Sequence, residues 1–220
     1  NGMTEITAAK IWVCSTGNSI APTSISLPVT SLDAFEAYEG MLITFPQALY
    51  ISEYFNFDRY NELVLTSERH MTPTALYEPG ADAIWAADQF LLDSITLDDG
   101  RTVQNPDPAL HPDGYEFTLD NLFRGGDTLQ NVTGVMDYSF GLYRIQPTQG
   151  ADYLPLNLRP YEPEAVGGSL RIASFNMLNY FSTIDTGALI CGPLQNQECR
   201  GADTMEEFTR QNGKLVAAIL

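Results

Sequence analysis

Positive charge is scarce in this chain. Its 220 residues carry 11 Lys and Arg against 28 Asp and Glu, a formal net charge of −17. The deficit is uneven: residues 1–165 hold 23 acids against 7 cations, whereas residues 166–220 hold 5 against 4. Nucleic-acid affinity rests largely on Lys and Arg releasing counterions from phosphates, which argues against the first three quarters of the chain as a phosphate-gripping surface. Its acidity reads instead as solubility, suited to an extracellular or saline medium. Long apolar runs are also missing. Hydrophobic residues make up 44% of the chain, yet no stretch approaches twenty in succession, so no membrane span is expected. Residues 1–10 are polar and lack the apolar core of a secretory signal; the signal of an exported parent is expected upstream. Histidine is nearly absent, with only His70 and His111, and there are three cysteines. There is no internal repeat and no low-complexity run.

What is present reads as one or two domains with material for a real core. Residues 1–30 read as the remnant of an upstream β module and a linker: 9–15 alternates weakly, and TGNSIAPTSISLP is a run of small and turn residues. A capped helical turn is expected at 31–36 with Ser31 at the N-cap. Residues 31–151 read as a small, OB-like β-barrel with one helix. Strands are expected at 40–45, 48–55 and 63–67, with Pro46 at an edge or bend. A helix is expected at about 81–92. A hairpin is expected from 95–97 through the Asp98-Asp99-Gly100 turn to 102–103. A last pair of strands is expected at 126–137 and 140–146. Gly134 and Gly141 among alternating apolar residues suit strongly bent strands that approach closely. Residues 152–167, with three prolines, read as an extended linker.

From 168 the text changes. SLRIASFNMLNYF, residues 169–181, reads as a buried strand ending on polar amides, where open α/β sheets place ligands. A short loop then leads to an amphipathic helix at 203–219, with Met205, Phe208, Leu215, Val216 and Ile219 on one side. Gly213 weakens that helix by about 1 kcal/mol relative to Ala. Both ends of the chain look cut: it opens almost directly on 11–13 and closes on 215–220 without a stop signal. It therefore reads as a fragment.

SLRIASFNMLNYF followed by GADTMEEFTRQNGKLVAAIL resembles the start of the catalytic domain of secreted bacterial extracellular nucleases. These belong to the endonuclease/exonuclease/phosphatase superfamily. Upstream, EAYEGMLITFPQALYISEYFNFDRYNELVLTS, LDDGRTVQNPDP and GDTLQNVTGVMDYSFGLYRIQPT resemble the accessory region of such nucleases. The likeness covers roughly residues 10–220, and several unrelated motifs occur in one order. It implies that 168–220 is the first strand, loop and helix of a truncated α/β four-layer sandwich. It implies a parent that hydrolyses phosphodiester bonds of extracellular DNA with Mg2+ or Mn2+, and possibly Ca2+. DNA would be bound through the catalytic domain, no membrane is a partner, and the protein would be secreted.

By the same resemblance, Asn176 positions the scissile phosphate and the hydrated metal. A neutral amide donates to a phosphate oxygen without repelling it, and its carbonyl can hold a metal-bound water. The competing reading is an Asn that satisfies backbone groups at a strand end. The family's metal-binding Glu, and its later Asp and His residues, have no counterpart here; His70 and His111 match no catalytic position. No metal ligand is assigned in this chain, and the fragment is expected to be inactive. Cys191 and Cys199 bracket GPLQNQE, and secreted proteins staple such loops with disulfides. A metal pair is the rival reading, although no His lies nearby to complete a zinc shell. Cys14 is left as a free thiol or as one that lost its partner.

Other features have two readings each. Glu206 and Glu207 are metal ligands or first-turn acids that complement the helix dipole. Tyr50, Tyr54, Phe55, Phe57 and Tyr60 are base-stacking platforms or core and rim packing. Asp98-Asp99-Gly100 and Asn105-Pro106-Asp107 bind calcium or form ordinary turns. Asn131-Val132-Thr133 is a glycosylation sequon. For the whole chain the alternative to a nuclease fragment is a non-catalytic acidic β-barrel that binds a protein partner, a polymer or calcium.

Overall fold

Alternation sets the architecture of the first three quarters of the chain. Ile43 and Phe45, Leu49 and Ile51, and Leu63 and Leu65 each stand two residues apart and are all essentially buried, as period-2 strands with one wet face require. The computed structural model describes residues 10–219. The chain divides into two units, Asn1–Tyr161 and Glu162–Leu220.

The first unit is mainly β. Its strands are β1 (Thr23–Ser24), β2 (Leu42–Thr44), β3 (Leu49–Glu53), β4 (Leu63–Thr66), β5 (Ser94–Leu97), β6 (Thr128–Gln130), β7 (Thr133–Ser139), β8 (Leu142–Pro147) and β9 (Asp152–Leu154). They form one curled sheet in the order β1-β2-β7-β8-β5-β4-β3-β6-β9. Its helices are short: a 3-10 segment at Leu32–Tyr38, α1 (Phe57–Tyr60), α2 (Pro73–Leu76) and the longer α3 (Ala81–Leu92).

Two bends curl the sheet. β2 and β3 are successive stretches of chain interrupted around Pro46, and the Phe45 N–H donates to the Val132 carbonyl across the bend. β6 and β7 are likewise successive, separated by Asn131 and Val132. The antiparallel pairs Ile43↔Gly134 and Leu49↔Leu129 therefore lie on either side of one corner. Gly134 is required there: a Cβ would lie 2.3 Å from the Gln146 carbonyl oxygen and 2.6 Å from Ile145 Cγ2. Inside the curl, Phe35, Phe45, Leu49, Ile51, Leu65, Leu129, Met136 and Ile145 form the core.

Several segments depart from the sequence reading. Residues 10–15 form no strand, and Ala9 lies outside the described residues, as does most of the polar stretch 1–10. The run read as a linker at 16–28 contains β1, which pairs parallel with β2. Ile25 and Leu27 are buried, and the Gln47 side chain clasps both the N–H and the carbonyl of Leu27. Residues 102–103 are not a strand. β5 already has β4 on one side and β8, in parallel, on the other, so it offers no free edge to a hairpin partner. The 152–167 stretch begins with β9, which pairs with β6 because Tyr153 packs onto the core.

The second unit carries α4 (Met205–Ile219) and the antiparallel bridge Cys191↔Gln197. Residues 169–181, expected to be a buried strand, are not a strand. An extended segment becomes a strand only when a neighbour takes its N–H and carbonyl groups, and no described segment pairs with it. α4 begins two residues later than expected. Its start is fastened by Thr204, whose hydroxyl accepts the Glu207 N–H, while the Glu207 carboxylate accepts the Asp203 N–H. Glu206 and Glu207 thus occupy the first turn of the helix, where acids favour the dipole. No helix among the described residues is long and apolar enough to cross a membrane.

Candidate functional site

Asn176 is exposed in the second unit. Its Oδ1 accepts the Leu178 N–H at 2.9 Å, a local contact that engages the amide oxygen. Four residues on, the Tyr180 ring stacks on Phe208 of α4 at 5.3 Å and 15°, and its hydroxyl donates to Asn212 Oδ1 at 2.8 Å. The SFN-M-LNYF segment is therefore anchored on α4 by Tyr180. Cys191 and Cys199 form a disulfide with Cα atoms 5.2 Å apart, closing the GPLQNQE loop; Cys14 is an exposed free thiol.

The described residues do not by themselves fit a divalent cation. Asn176 supplies one neutral oxygen, already engaged, and no group of three His, Cys, Asp or Glu side chains converges among the described residues. The two candidate calcium turns differ in their chemistry. The Asp98 carboxylate accepts the Asp99 N–H, Arg144 and Gln146. Asp99 accepts the Arg101 N–H and its guanidinium Nε. N–H donors thus occupy these oxygens, as ordinary turn chemistry requires. Asn105, in the second turn, adopts the left-handed conformation at φ 51°. The sequon is tied down as well: Asn131 Nδ2 donates to Asp152 and Val132 is buried.

Both histidines are packed into the first unit. His70 bonds to the buried Asp93 carboxylate, which also accepts the Ser67 N–H, and its ring meets Phe90 edge-on. His111 is buried against Tyr153 and Phe123, with Nδ1 2.9 Å from Asp113 Oδ1. Burial disfavours the Asp113 charge, but the Tyr115 N–H and His111 outweigh it and hold the carboxyl below its usual range.

The aromatic run separates in space. Phe57 is buried and packs edge-on against Phe117 and Phe123, whereas Tyr50 and Tyr60 are half-buried. Tyr54 touches Phe123 but remains 52% exposed, and Phe55 is 85% exposed. Phe55 edges a groove of about 320 Å³. Val64 of β4 and Thr96 of β5 line it, Leu142 of β8 flanks it, and Glu53, Asn56 and Glu62 supply its polar groups. Asn56 donates to Glu62 Oε2 at 3.1 Å, and Arg144 donates to Glu62 Oε1 at 2.6 Å and to Asp98 Oδ2 at 2.8 Å. Burial alone would lower the Arg144 pKa, yet these two carboxylates raise it above its ordinary value. Above Arg144 lies Phe140, its ring centroid 5.5 Å from the guanidinium carbon, and Phe140 itself is 94% exposed. With Gly141 it forms the two-residue turn of the β7–β8 hairpin, both at positive φ.

Phe140, expected to open a strand at 140–146, instead lies in the turn, and β8 begins at Leu142. The available signal was a Phe-Gly turn between two alternating runs, and a lone Arg within a strand of a strongly acidic region.

Fold and site together define an acidic, mainly β domain with an aromatic-edged groove, followed by a smaller disulfide-bonded unit. The chain belongs to the family described as Domain of unknown function (DUF8508), which matches residues 15–156. No curated protein and no solved structure matches it.

Proposed function

We propose that the chain is part of a secreted, divalent-metal-dependent nuclease that hydrolyses phosphodiester bonds of extracellular DNA. In this reading the first unit is an OB-like accessory module and the second is the opening of the catalytic domain. The OB-like assignment draws support from the strand route. If β2–β3 and β6–β7 are each taken as one bent strand, the pairings run from the first bent strand to β4, β5 and β8, then to the second bent strand and back. Parallel pairing occurs within this circuit only between β5 and β8, as a five-stranded Greek-key barrel requires.

The observation that carries the hydrolase reading is the anchoring of the SFN-M-LNYF segment on α4 through Tyr180. It fastens the chain four residues beyond Asn176 to the helix that follows, in the order of segment and helix that the resemblance calls for. The Asn176 amide nitrogen would donate to a phosphate oxygen. Mg2+ or Mn2+ would supply an activated water and charge neutralisation, on carboxylates that follow α4 in a longer polypeptide. DNA would be gripped by the catalytic domain, since the first unit is too acidic to serve. The disulfide fits an oxidising, extracellular setting. The groove at Phe55 favours a second reading for the first unit alone, that of a non-catalytic binding module.

DNA cleavage in the presence of Mg2+ or Mn2+ tests the proposal. The 220-residue chain is expected to be inactive, and a longer chain carrying the downstream ligand set is expected to cleave. In that longer chain Asn176→Ala should lower turnover by about a hundredfold or more without moving the unfolding midpoint. Cleavage by the 220-residue chain would refute the assignment of the chemistry to the downstream part. Unchanged turnover in the variant would reduce Asn176 to its Leu178 hydrogen bond.

A further inference from the structure

We propose that the groove between the 54–62 connection and the β7–β8 turn binds a cationic, extended peptide segment of a protein partner, seating a Lys or Arg side chain against Phe55 and Glu53. This rests on the first unit alone and is independent of the hydrolase reading.

The groove has the features of a built site. Part of its lining is hydrogen-bonded sheet, from Val64 and Thr96 on paired strands, so it is formed before any ligand arrives. Its polar side chains are held in place: Glu53 Oε1 accepts the Phe55 N–H at 3.1 Å, and Asn56 and Arg144 fix Glu62. Its aromatic edge has no role in the core. Phe55 is 85% exposed, whereas Phe57, two residues from it, fills the core. Covering the Phe55 ring with a partner would remove apolar surface from water, which is favourable.

Charge selects the occupant. The nearest cation, Arg144, is 3% exposed and committed to Glu62 and Asp98. Counting the lining carboxylates Glu53 and Glu62 against the adjoining Arg144 leaves the groove net negative. Phosphates and acidic peptides are thereby repelled. A Lys or Arg side chain gains a carboxylate and an aromatic face together, and the ring quadrupole attracts cations. A volume of about 320 Å³ lies at the small end of ligand pockets, which suits one long side chain with its adjoining backbone rather than several residues of a bulky polymer.

The test uses the full 220-residue chain and a fluorescein-labelled Gly-Arg-Gly-Arg-Gly peptide in a fluorescence-anisotropy titration at 150 mM salt. Saturable binding is expected. Phe55→Ala and Glu53→Gln should each weaken it by roughly tenfold, about 1.4 kcal/mol, while Asp88→Asn, an exposed acid on α3 outside the groove, should change it less than twofold. Both groove substitutions lie on exposed side chains, and an unchanged circular dichroism spectrum would confirm folding. Equal weakening by all three variants would reduce the interaction to diffuse charge attraction and overturn the proposal. So would the absence of peptide binding, or binding of a neutral oligosaccharide such as cellohexaose that Phe55→Ala abolishes while the peptide does not bind.

Discussion

In the first unit Phe35, Phe45, Ile43, Leu49 and Ile51 are almost completely buried, whereas in the second only Cys199 and Ala202 are buried apolar residues among those described. Both units carry alternating or amphipathic apolar residues. In the first, every strand between the edge strands β1 and β9 has a hydrogen-bonded neighbour on both sides, and the sheet curls around a shared core. In the second, Leu170, Ile172, Leu178, Leu194 and Ile219 remain more than half exposed, and order comes from a disulfide, a ring stack and a capped helix. The contrast shows that an apolar pattern proposes a face, and only a neighbour turns that face into a core. The two units should therefore respond to different insults.

Phe45→Ala should produce the largest effect. Phe45 is fully buried at the β2–β3 corner, and removing a buried Phe ring costs about 3–5 kcal/mol through lost transfer energy and the cavity left behind. Urea unfolding followed by near-ultraviolet circular dichroism should show that loss. A cost below 1 kcal/mol would mean that the corner collapses around the gap and that the sheet does not depend on it. Reducing the Cys191–Cys199 disulfide, or replacing Cys199 with Ser, should act on the other unit. Closing so short a loop constrains the unfolded chain by about 2–3 kcal/mol. Hydrogen exchange should then quicken at 185–202 while the first unit's transition stays put. A shift of both would break the comparison.

Asp127→Asn probes polar rather than apolar fastening within the first unit. Asp127 is 1% exposed. Its Oδ1 accepts the N–H groups of Leu156 and Asn157, and its Oδ2 accepts the Arg124 N–H and the Tyr153 hydroxyl. An Asn side chain has one acceptor oxygen, so its amide nitrogen would face donors. About 2 kcal/mol should be lost, the scale of hydrogen bonds to a charged group. Burial pushes the Asp127 pKa up, but the Tyr153 hydroxyl and the three backbone donors outweigh it and leave it lowered. The sign follows. A carboxyl with a depressed folded pKa contributes full stability above the ordinary carboxylate range, and that contribution drains away as pH falls below about 4 toward the lowered value. Urea midpoints of the wild type should fall over that window, and those of Asp127→Asn should fall less.

The same neighbour dependence explains what was legible in the sequence. Helix α3 stands at 81–92 as expected, but the apolar side expected from Ile84, Ala87, Leu91 and Leu92 is not its buried one: Ile84 and Leu91 are exposed, and Ala83 is buried. The Pro46 bend was legible because proline cannot extend a central ladder. β1 and β9 were not, because two and three residues are too few for alternation to register, and both exist only through their partners β2 and β6. The expected strand at 169–181 failed for the converse reason: its pattern is strong, and no described segment pairs with it. At the groove, the exposed Phe55 and the buried Phe57 are chemically alike and two residues apart. Only the fold around α1 tells them apart.

The smallest expected effect is at Ser31, and it separates capping from burial within the first unit. Ser31 has the extended backbone of an N-cap, φ −158° and ψ 157°, but its hydroxyl makes no capping hydrogen bond. Only its carbonyl takes part, accepting the Ala34 N–H. The 3-10 segment Leu32–Tyr38 is held from its other face: Phe35 is 1% exposed in the core, its ring lies 5.5 Å from that of Tyr143, and the Tyr143 hydroxyl donates to Glu36 at 2.7 Å. Replacing a working Ser cap with Ala costs typically about 1 kcal/mol. Ser31→Ala should cost less than about 0.5 kcal/mol, the range of a surface substitution that removes no contact. Urea midpoints of the two proteins should nearly coincide. A loss near 1 kcal/mol would mean that the hydroxyl does cap the segment in solution, and that local hydrogen bonding shares with Phe35 the work of holding it to the sheet.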